Sequence, residues 1–141
     1  MKPLQLVPWP EADAILRLLI AAVLGAVVGF ERERAQKPAG LRTNLLVCVG
    51  SALFTLVSAY GFGVPSDPSR IAAGVVVGIG FLGAGTILRG EQRVVGLTTA
   101  ATVWAVAAIG VAVGCGLIFI AVAAVVIIFI ALRLKMGHHH E

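Results

Sequence analysis

The sequence predicts an all-α, polytopic membrane protein of about five transmembrane helices. Three observations support this fold class. Hydrophobic residues make up 59% of the 141 residues and charged residues only 13%, about half the charged share of a soluble domain. The apolar residues form runs that are long enough to cross a hydrocarbon core of about 30 Å. The basic residues are concentrated between these runs.

The apolar runs define the predicted spans in chain order. The first three runs have 17 or 18 residues each: 14–30, 43–60 and 71–88. The stretch 94–132 holds 39 uncharged residues, and one helix of that length would be about 58 Å long, roughly twice the membrane. We therefore predict that it folds back at Gly114-Cys115-Gly116, because glycine tolerates the conformations that end a helix. The last two spans are then 97–114 and 117–132.

The basic residues predict the orientation of these spans. Five spans place eight of them on one side: Arg32, Arg34, Lys37, Arg42, Arg89, Arg93, Arg133 and Lys135. Lys2 and Arg70 fall on the other side, with Arg17 near it. The positive-inside rule therefore puts the N-terminus outside and the C-terminus in the cytoplasm. Residues 1–13 are then an extracytoplasmic segment and residues 133–141 a cytoplasmic tail, whose end, 137–141, resembles the remnant of an expression tag.

Pairs of glycines four residues apart predict helix faces that pack closely. The pairs are Gly25 with Gly29, Gly74 with Gly78, and Gly110 with Gly114. This small-xxx-small spacing lets helix backbones approach one another in a membrane. The pattern leaves open whether the contact lies within one chain or between two, so a homodimer is a candidate assembly.

Polar residues at the ends of the spans are the candidate functional residues. Glu31-Arg32-Glu33-Arg34 is either a helix extension in the headgroup region or a docking surface for a cytoplasmic partner. Thr43 is a candidate cap for span two, and Thr98 or Thr99 for span four. Asn44 lies one turn inside span two, where a polar side chain seeks another helix.

Asp67-Pro68-Ser69-Arg70 has the pattern of a helix start, with an acidic cap followed by proline. Asp67 is also the lone carboxylate between spans two and three, so it is a candidate ligand for an external cation. A single carboxylate makes a poor magnesium site unless water completes the shell. The sequence shows no nucleophile–base pair, phosphate-binding loop or metal-ligand cluster, so we expect neither an enzyme nor a nucleic-acid-binding protein.

Six motifs occur in order between Arg17 and Gly116. They are Gly29-Phe30-Glu31-Arg32-Glu33, Lys37-Pro38-Ala39-Gly40-Leu41-Arg42-Thr43-Asn44, Gly50-Ser51-Ala52-Leu53-Phe54, Asp67-Pro68-Ser69-Arg70-Ile71, Gly78-Ile79-Gly80-Phe81-Leu82-Gly83-Ala84-Gly85 and Gly96-Leu97-Thr98-Thr99-Ala100-Ala101-Thr102-Val103-Trp104. Together they resemble the MgtC/SapB family of bacterial inner-membrane proteins. The resemblance implies a role in growth when magnesium is scarce and, in pathogens, in survival inside macrophages.

The resemblance also implies a mode of action. Members of the family are often encoded with magnesium-transporting ATPases, and at least one is thought to bind and restrain the F-type ATP synthase. We therefore expect a regulator that acts by contact with such a complex, without a cofactor, and with Mg²⁺ as a ligand or a physiological signal. The alternative is a transporter or channel for magnesium or another cation, although the sequence lacks the ring of intramembrane carboxylates that is usual in cation pathways.

The expected functional set consists of the polar residues of these motifs: Glu31, Arg32, Lys37, Arg42, Asn44, Asp67, Arg70 and Thr98. The chain departs from the family at two points. Many members carry a C-terminal domain that resembles ACT modules, whereas only Arg133–Glu141 follows the last span here. Virulence-associated members have asparagine where this chain has Thr98, and threonine is a shorter polar partner.

Overall fold

The computed structural model describes residues 11–63 and 67–134. In this part of the chain the elements are, in order, α1 (Glu11–Arg34), α2 (Leu41–Tyr60), α3 (Ser69–Ala84), β1 (Leu88–Arg89), β2 (Val94–Val95), α4 (Leu97–Gly114) and α5 (Ile118–Arg133). The predicted five-helix fold class is confirmed. Helices α1, α2 and α4 are long and apolar enough to cross a membrane. Helices α3 and α5 have 16 residues each and are about 24 Å long.

Helix α4 lies at the centre of the bundle and contacts each of the other four helices. Its inward face buries Val103, Val106 and Ile109. Large apolar side chains such as Phe81 and Phe119 are exposed on the outside of the bundle. An apolar exterior of this extent is unsuited to water and suited to lipid, which identifies the chain as a membrane protein.

Helix α2 packs closely between α1 and α4, and both contacts are made at glycines. A Cβ atom added to Gly25 of α1 would lie 2.7 Å from both the Asn44 carbonyl oxygen and the Cys48 Cβ. A Cβ added to Gly114 of α4 would lie 2.6 Å from the Thr55 Cβ. Gly29 and Gly110 meet α2 equally closely. These two glycine pairs therefore occupy close backbone contacts of the kind that their spacing predicts.

The third glycine pair makes no such contact within the chain. A Cβ added to Gly74 or Gly78 would have no heavy atom within 4 Å among the described residues. The pair instead faces an open groove of about 720 Å³ between α2 and α3. Helix α3 approaches α4 at a different glycine, Gly83, where an added Cβ would lie 3.5 Å from the Ala100 carbonyl oxygen. The spacing of the pair indicates a small-residue face but not a partner for it.

The prediction that span three continues to residue 88 is wrong at its C-terminal end. Helix α3 ends at Ala84, and the Thr86 hydroxyl donates a hydrogen bond to the Gly83 carbonyl oxygen at 2.7 Å. Leu88 belongs to an antiparallel hairpin, in which it pairs with Val95. Leu88 of β1 extends the hydropathy run, although it is not helical. Gly96 leaves the hairpin with φ of 93°, where a side chain would collide with the Thr86 carbonyl oxygen.

Two predicted helix caps are also wrong. The N-cap residues of α2 and α4 are Gly40 and Gly96, and neither helix start has a side-chain cap hydrogen bond. Thr43 and Thr98 lie inside their helices, as does Thr99. The helices therefore begin two or more residues earlier than the threonines suggest.

The predicted turn between the last two helices is confirmed. Gly116 has φ of 83°, and the Leu117 N–H donates to the Ala112 carbonyl oxygen at 2.9 Å, as in a glycine-ended helix. Arg17 of α1 braces this turn by donating to the Gly114 carbonyl oxygen at 2.8 Å. The same guanidinium pairs with the Asp13 carboxylate at 2.7 Å. A cation at the end of α4 also opposes the helix dipole favourably.

Candidate functional site

The candidate residues divide between the two ends of the bundle. Where α1 ends and α2 and α4 begin lie six of them: Glu31, Arg32, Lys37, Arg42, Asn44 and Thr98. Asp67 and Arg70 lie at the opposite end, where α2 ends and α3 begins. The first end is the one that the basic residues predict to be cytoplasmic. The chain therefore has no single compact site that contains all eight residues.

Arg32 lies inside the bundle and connects α1 to α4. Its side chain is 5% exposed, and its terminal nitrogen donates to the Thr99 hydroxyl oxygen at 3.2 Å. Its Nε atom is buried without a hydrogen-bond partner among the described residues. A buried guanidinium is costly unless it is hydrogen-bonded, so this contact fixes how the two helices meet. Arg32 is therefore not available to a partner on the surface of this fold.

Thr99, the partner of Arg32, was not among the predicted site residues. The predicted residue was its neighbour Thr98, which is exposed. Thr99 lies on the same helix face as the buried residues Val103, Val106 and Gly110. The spacing of Thr99 from these apolar residues could have identified it, because residues three, four and seven positions apart lie on the same face of a helix.

Asn44 holds the loop between α1 and α2. Its side chain is fully buried, and Nδ2 donates to the carbonyl oxygens of Ala39 and Gly40 at 2.6 and 2.9 Å. We expected the Asn44 side chain to contact another helix. Its Nδ2 atom instead contacts the loop that precedes α2. Oδ1 is buried without a partner among the described residues. The loop that Asn44 holds contains two non-glycine residues with positive φ, Gln36 and Ala39, a conformation that needs such local support.

Residues of α1 also form hydrogen bonds to this loop and to the start of α2. The Lys37 N–H donates to the Arg32 carbonyl oxygen at 3.0 Å, which closes the helix end. The Glu33 carboxylate accepts a hydrogen bond from the Leu41 N–H at 3.0 Å, at the start of α2. A negative charge is favourable there because helix N-termini are electropositive. Residues 31–34 thus extend helix α1, which is one of the two predicted alternatives. Lys37 in the loop and Arg42 in the first turn of α2 are exposed.

At the opposite end Asp67 organises the start of α3. Its Oδ1 accepts hydrogen bonds from the Ser69 hydroxyl at 2.7 Å and from the Ser69 N–H at 3.0 Å. These two bonds, with the nearby charge of Arg70, hold the pKa of the Asp67 carboxyl below its usual value. Ser58 of α2 ties this corner down by donating to the Pro68 carbonyl oxygen at 2.7 Å. Across residues 11–63 and 67–134 no three His, Cys, Asp or Glu side chains converge as metal ligands would.

Both polar regions lie inside residues 18–140, and this part of the sequence matches the MgtC family. The chain belongs to the MgtC family. Among its relatives is YhiD of Escherichia coli, called a putative magnesium transporter, which is 52% identical over 113 residues. Protein SrpB of Synechococcus elongatus is 49% identical over 124 residues, and Protein MgtC of Salmonella typhimurium is 55% identical over 102 residues.

The matched regions cover most of this chain but less of its MgtC-family relatives. They include 75% of this chain and 53% of YhiD, 77% and 68% for SrpB, and 72% and 43% for MgtC. The chain therefore spans about half the length of YhiD and less than half of MgtC. No solved structure matches it.

Proposed function

We propose that this chain is a bacterial inner-membrane regulator with a magnesium-related function, which acts by contact with another membrane complex and catalyses no reaction. Membership of the MgtC family and the names of its relatives support the magnesium-related membrane function. By the family resemblance, the favoured partners are the F-type ATP synthase and magnesium-transporting ATPases. In a pathogen the same role would support survival inside macrophages.

The observation that carries the contact proposal is the loop between α1 and α2. Asn44 and Glu33 hold this loop by hydrogen bonds, and two exposed basic side chains lie beside them, Lys37 in the loop and Arg42 in the first turn of α2. A loop that is already ordered loses little conformational entropy when a partner binds. Charged side chains on such a loop are suited to specific recognition of an acidic surface.

Transport of magnesium or another cation is the second candidate function, and the name of YhiD favours it. The described interior argues against it. Its buried residues are mainly small and apolar, and the charged residue that is buried as a whole in residues 11–63 and 67–134 is Arg32. A cation path would be expected to carry carboxylates or carbonyls rather than a buried positive charge.

A homodimer is part of the proposal. The groove between α2 and α3 is apolar, and Gly50, Gly74 and Gly78 line it without side chains. A helix from a second copy could approach closely along this face, as small-xxx-small faces allow. A change of oligomeric mass in Gly78→Leu, compared with the wild type in the same detergent, would support this assembly.

Charge reversal tests the contact surface. Lys37→Glu combined with Arg42→Glu should abolish co-purification of the partner complex and growth at low magnesium. The reason is that two negative side chains would repel the acidic surface that the basic side chains are proposed to recognise. Arg89→Glu combined with Arg93→Glu is the matched control, since it makes the same charge change on the exposed hairpin. Full retention of partner and growth by the loop variant would refute the proposal. Magnesium flux into dye-loaded liposomes that contain the purified chain alone would favour the transporter instead.

A further inference from the structure

A cleft with both positive and negative groups lies between the ends of α1 and α5. Its volume is about 370 Å³, within the usual range for small-ligand sites. It is lined by Phe30, Glu31, Arg34, Ala35, Phe129 and Arg133. The cleft thus combines one carboxylate, two guanidinium groups and two phenyl rings in one place. Its lining includes neither Lys37 and Arg42 nor the buried pair of Arg32 and Thr99.

The carboxylate in this cleft lacks a donor. Glu31 Oε2 is buried and has no hydrogen-bond partner among the described residues. Among the described residues the ion pair found is that of Asp13 with Arg17. Neither Arg34 nor Arg133 therefore forms an ion pair with Glu31. A buried carboxylate oxygen without a donor costs free energy, because it has lost the water that would otherwise bond to it. A ligand that supplies an N–H group would remove that cost.

The two arginines suit an anionic group. The Arg133 guanidinium lies over the Phe129 ring at 4.8 Å from its centroid, which orients its N–H groups. Arg34 reaches the cleft from α1. Guanidinium groups recognise phosphate through several parallel N–H donors. Two positive side chains also disfavour a bound metal cation at Glu31.

The position of the cleft indicates the source of the phosphate. The cleft lies at the last turns of α1 and α5, where we predict that the first and fifth spans reach the lipid headgroups. Next to it, Phe30 and Ile130 expose apolar surface that acyl chains can cover. We propose that the cleft binds the headgroup of phosphatidylethanolamine, with the phosphate at Arg34 and Arg133 and the ammonium at Glu31.

The proposal distinguishes three headgroups by their chemistry. Phosphatidylcholine carries the same charges, but its quaternary ammonium has no N–H to donate to Glu31 Oε2. The Arg133 guanidinium already lies over one face of the Phe129 ring. Phosphatidylglycerol satisfies the arginines but brings no positive charge to the carboxylate. Phosphatidylethanolamine matches all three charged side chains.

Native mass spectrometry of the purified chain with lipids of identical acyl chains tests this assignment. Phosphatidylethanolamine should bind at least about tenfold more tightly than phosphatidylcholine, the factor expected of one hydrogen bond to a charged group. Glu31→Gln should reduce that ratio to near one. Arg133→Gln should weaken both lipids equally and leave the ratio unchanged. Glu91→Gln, an exposed carboxylate change in the hairpin loop, is the matched control and should behave as the wild type.

Three results would overturn the proposal. The first is equal affinity of the wild type for the two lipids, which would leave Glu31 without a role. The second is an unchanged ratio in Glu31→Gln, with the variant shown to be folded by its elution volume. The third is binding of soluble phosphoethanolamine as tight as that of the lipid, which would assign the cleft to a free solute rather than to the membrane.

Discussion

The substitution of Gly25 by alanine measures how tightly α1 is packed on α2. The added Cβ would lie 2.7 Å from the Asn44 carbonyl oxygen and from the Cys48 Cβ, whereas ordinary contacts begin near 3.4 Å. The helices would therefore have to separate by about 0.7 Å. The Asn44 oxygen belongs to the backbone and the other contact is a Cβ, so neither can move away alone. Overpacking of this kind costs about 1–3 kcal/mol.

Gly80→Ala is the matched control for this experiment, because an added Cβ there meets no heavy atom within 4 Å among the described residues. Replacing glycine by alanine raises the helix propensity of both variants by a similar amount, up to about 1 kcal/mol. The difference between their free energies of unfolding therefore measures the steric cost at Gly25. We expect Gly25→Ala to be less stable than Gly80→Ala by about 1–3 kcal/mol, measured by unfolding in bicelles. Equal stability of the two variants would refute close packing of α1 on α2.

The geometry of Cys115, Thr99 and Asp67 leads to further expected outcomes. Cys115 is exposed in the turn that we predict to face outward, so a membrane-impermeant maleimide should label it in intact cells, and labelling only after permeabilisation would reverse the topology. Thr99→Val removes the acceptor of Arg32 and should cost about 1–3 kcal/mol of stability, whereas Thr98→Val should change it by less than about 0.5; equal effects would contradict the buried contact. Asp67→Asn keeps an oxygen for the helix start, so folding and low-magnesium growth should persist; growth failure at normal protein levels would indicate a cation site instead. The lowered pKa keeps the Asp67 carboxyl ionised as pH falls from 7 to 5, so no stability change from this group is expected over that range.

The sequence analysis predicted those features that depend on local composition. The apolar runs identify all five helices, and the double glycine around Cys115 identifies the last turn, because hydropathy and backbone freedom are properties of short segments. The end of α3 was misplaced for the same reason. Hydropathy counts Leu88 as apolar but cannot tell that it is extended and paired with Val95.

The candidate site was less predictable because it depends on how helices are rotated against one another. Arg32 and Arg34 are alike in the sequence, yet only the first points into the bundle and meets Thr99. Gly25 and Gly74 belong to identical spacings, yet only the first touches a neighbouring helix within the described chain. Rotational phase follows from the packing of the whole bundle, and no single motif specifies it.

The close glycine contacts of α2 with α1 and α4 also limit how the bundle can move. Since α1 and α4 both meet α2 at backbone distance, sliding either helix would drive Cα or carbonyl atoms into one another. These three helices therefore behave as one rigid body, and interfaces of this kind shift in discrete steps rather than continuously. Helix α3 lies across the open groove from α2, and it is held to the bundle by the hydrogen bond from Ser58 to the Pro68 carbonyl oxygen and by the approach of Gly83 to Ala100. The helices that carry Arg32 and Asn44 are therefore held in their relative position by contacts of the backbone itself.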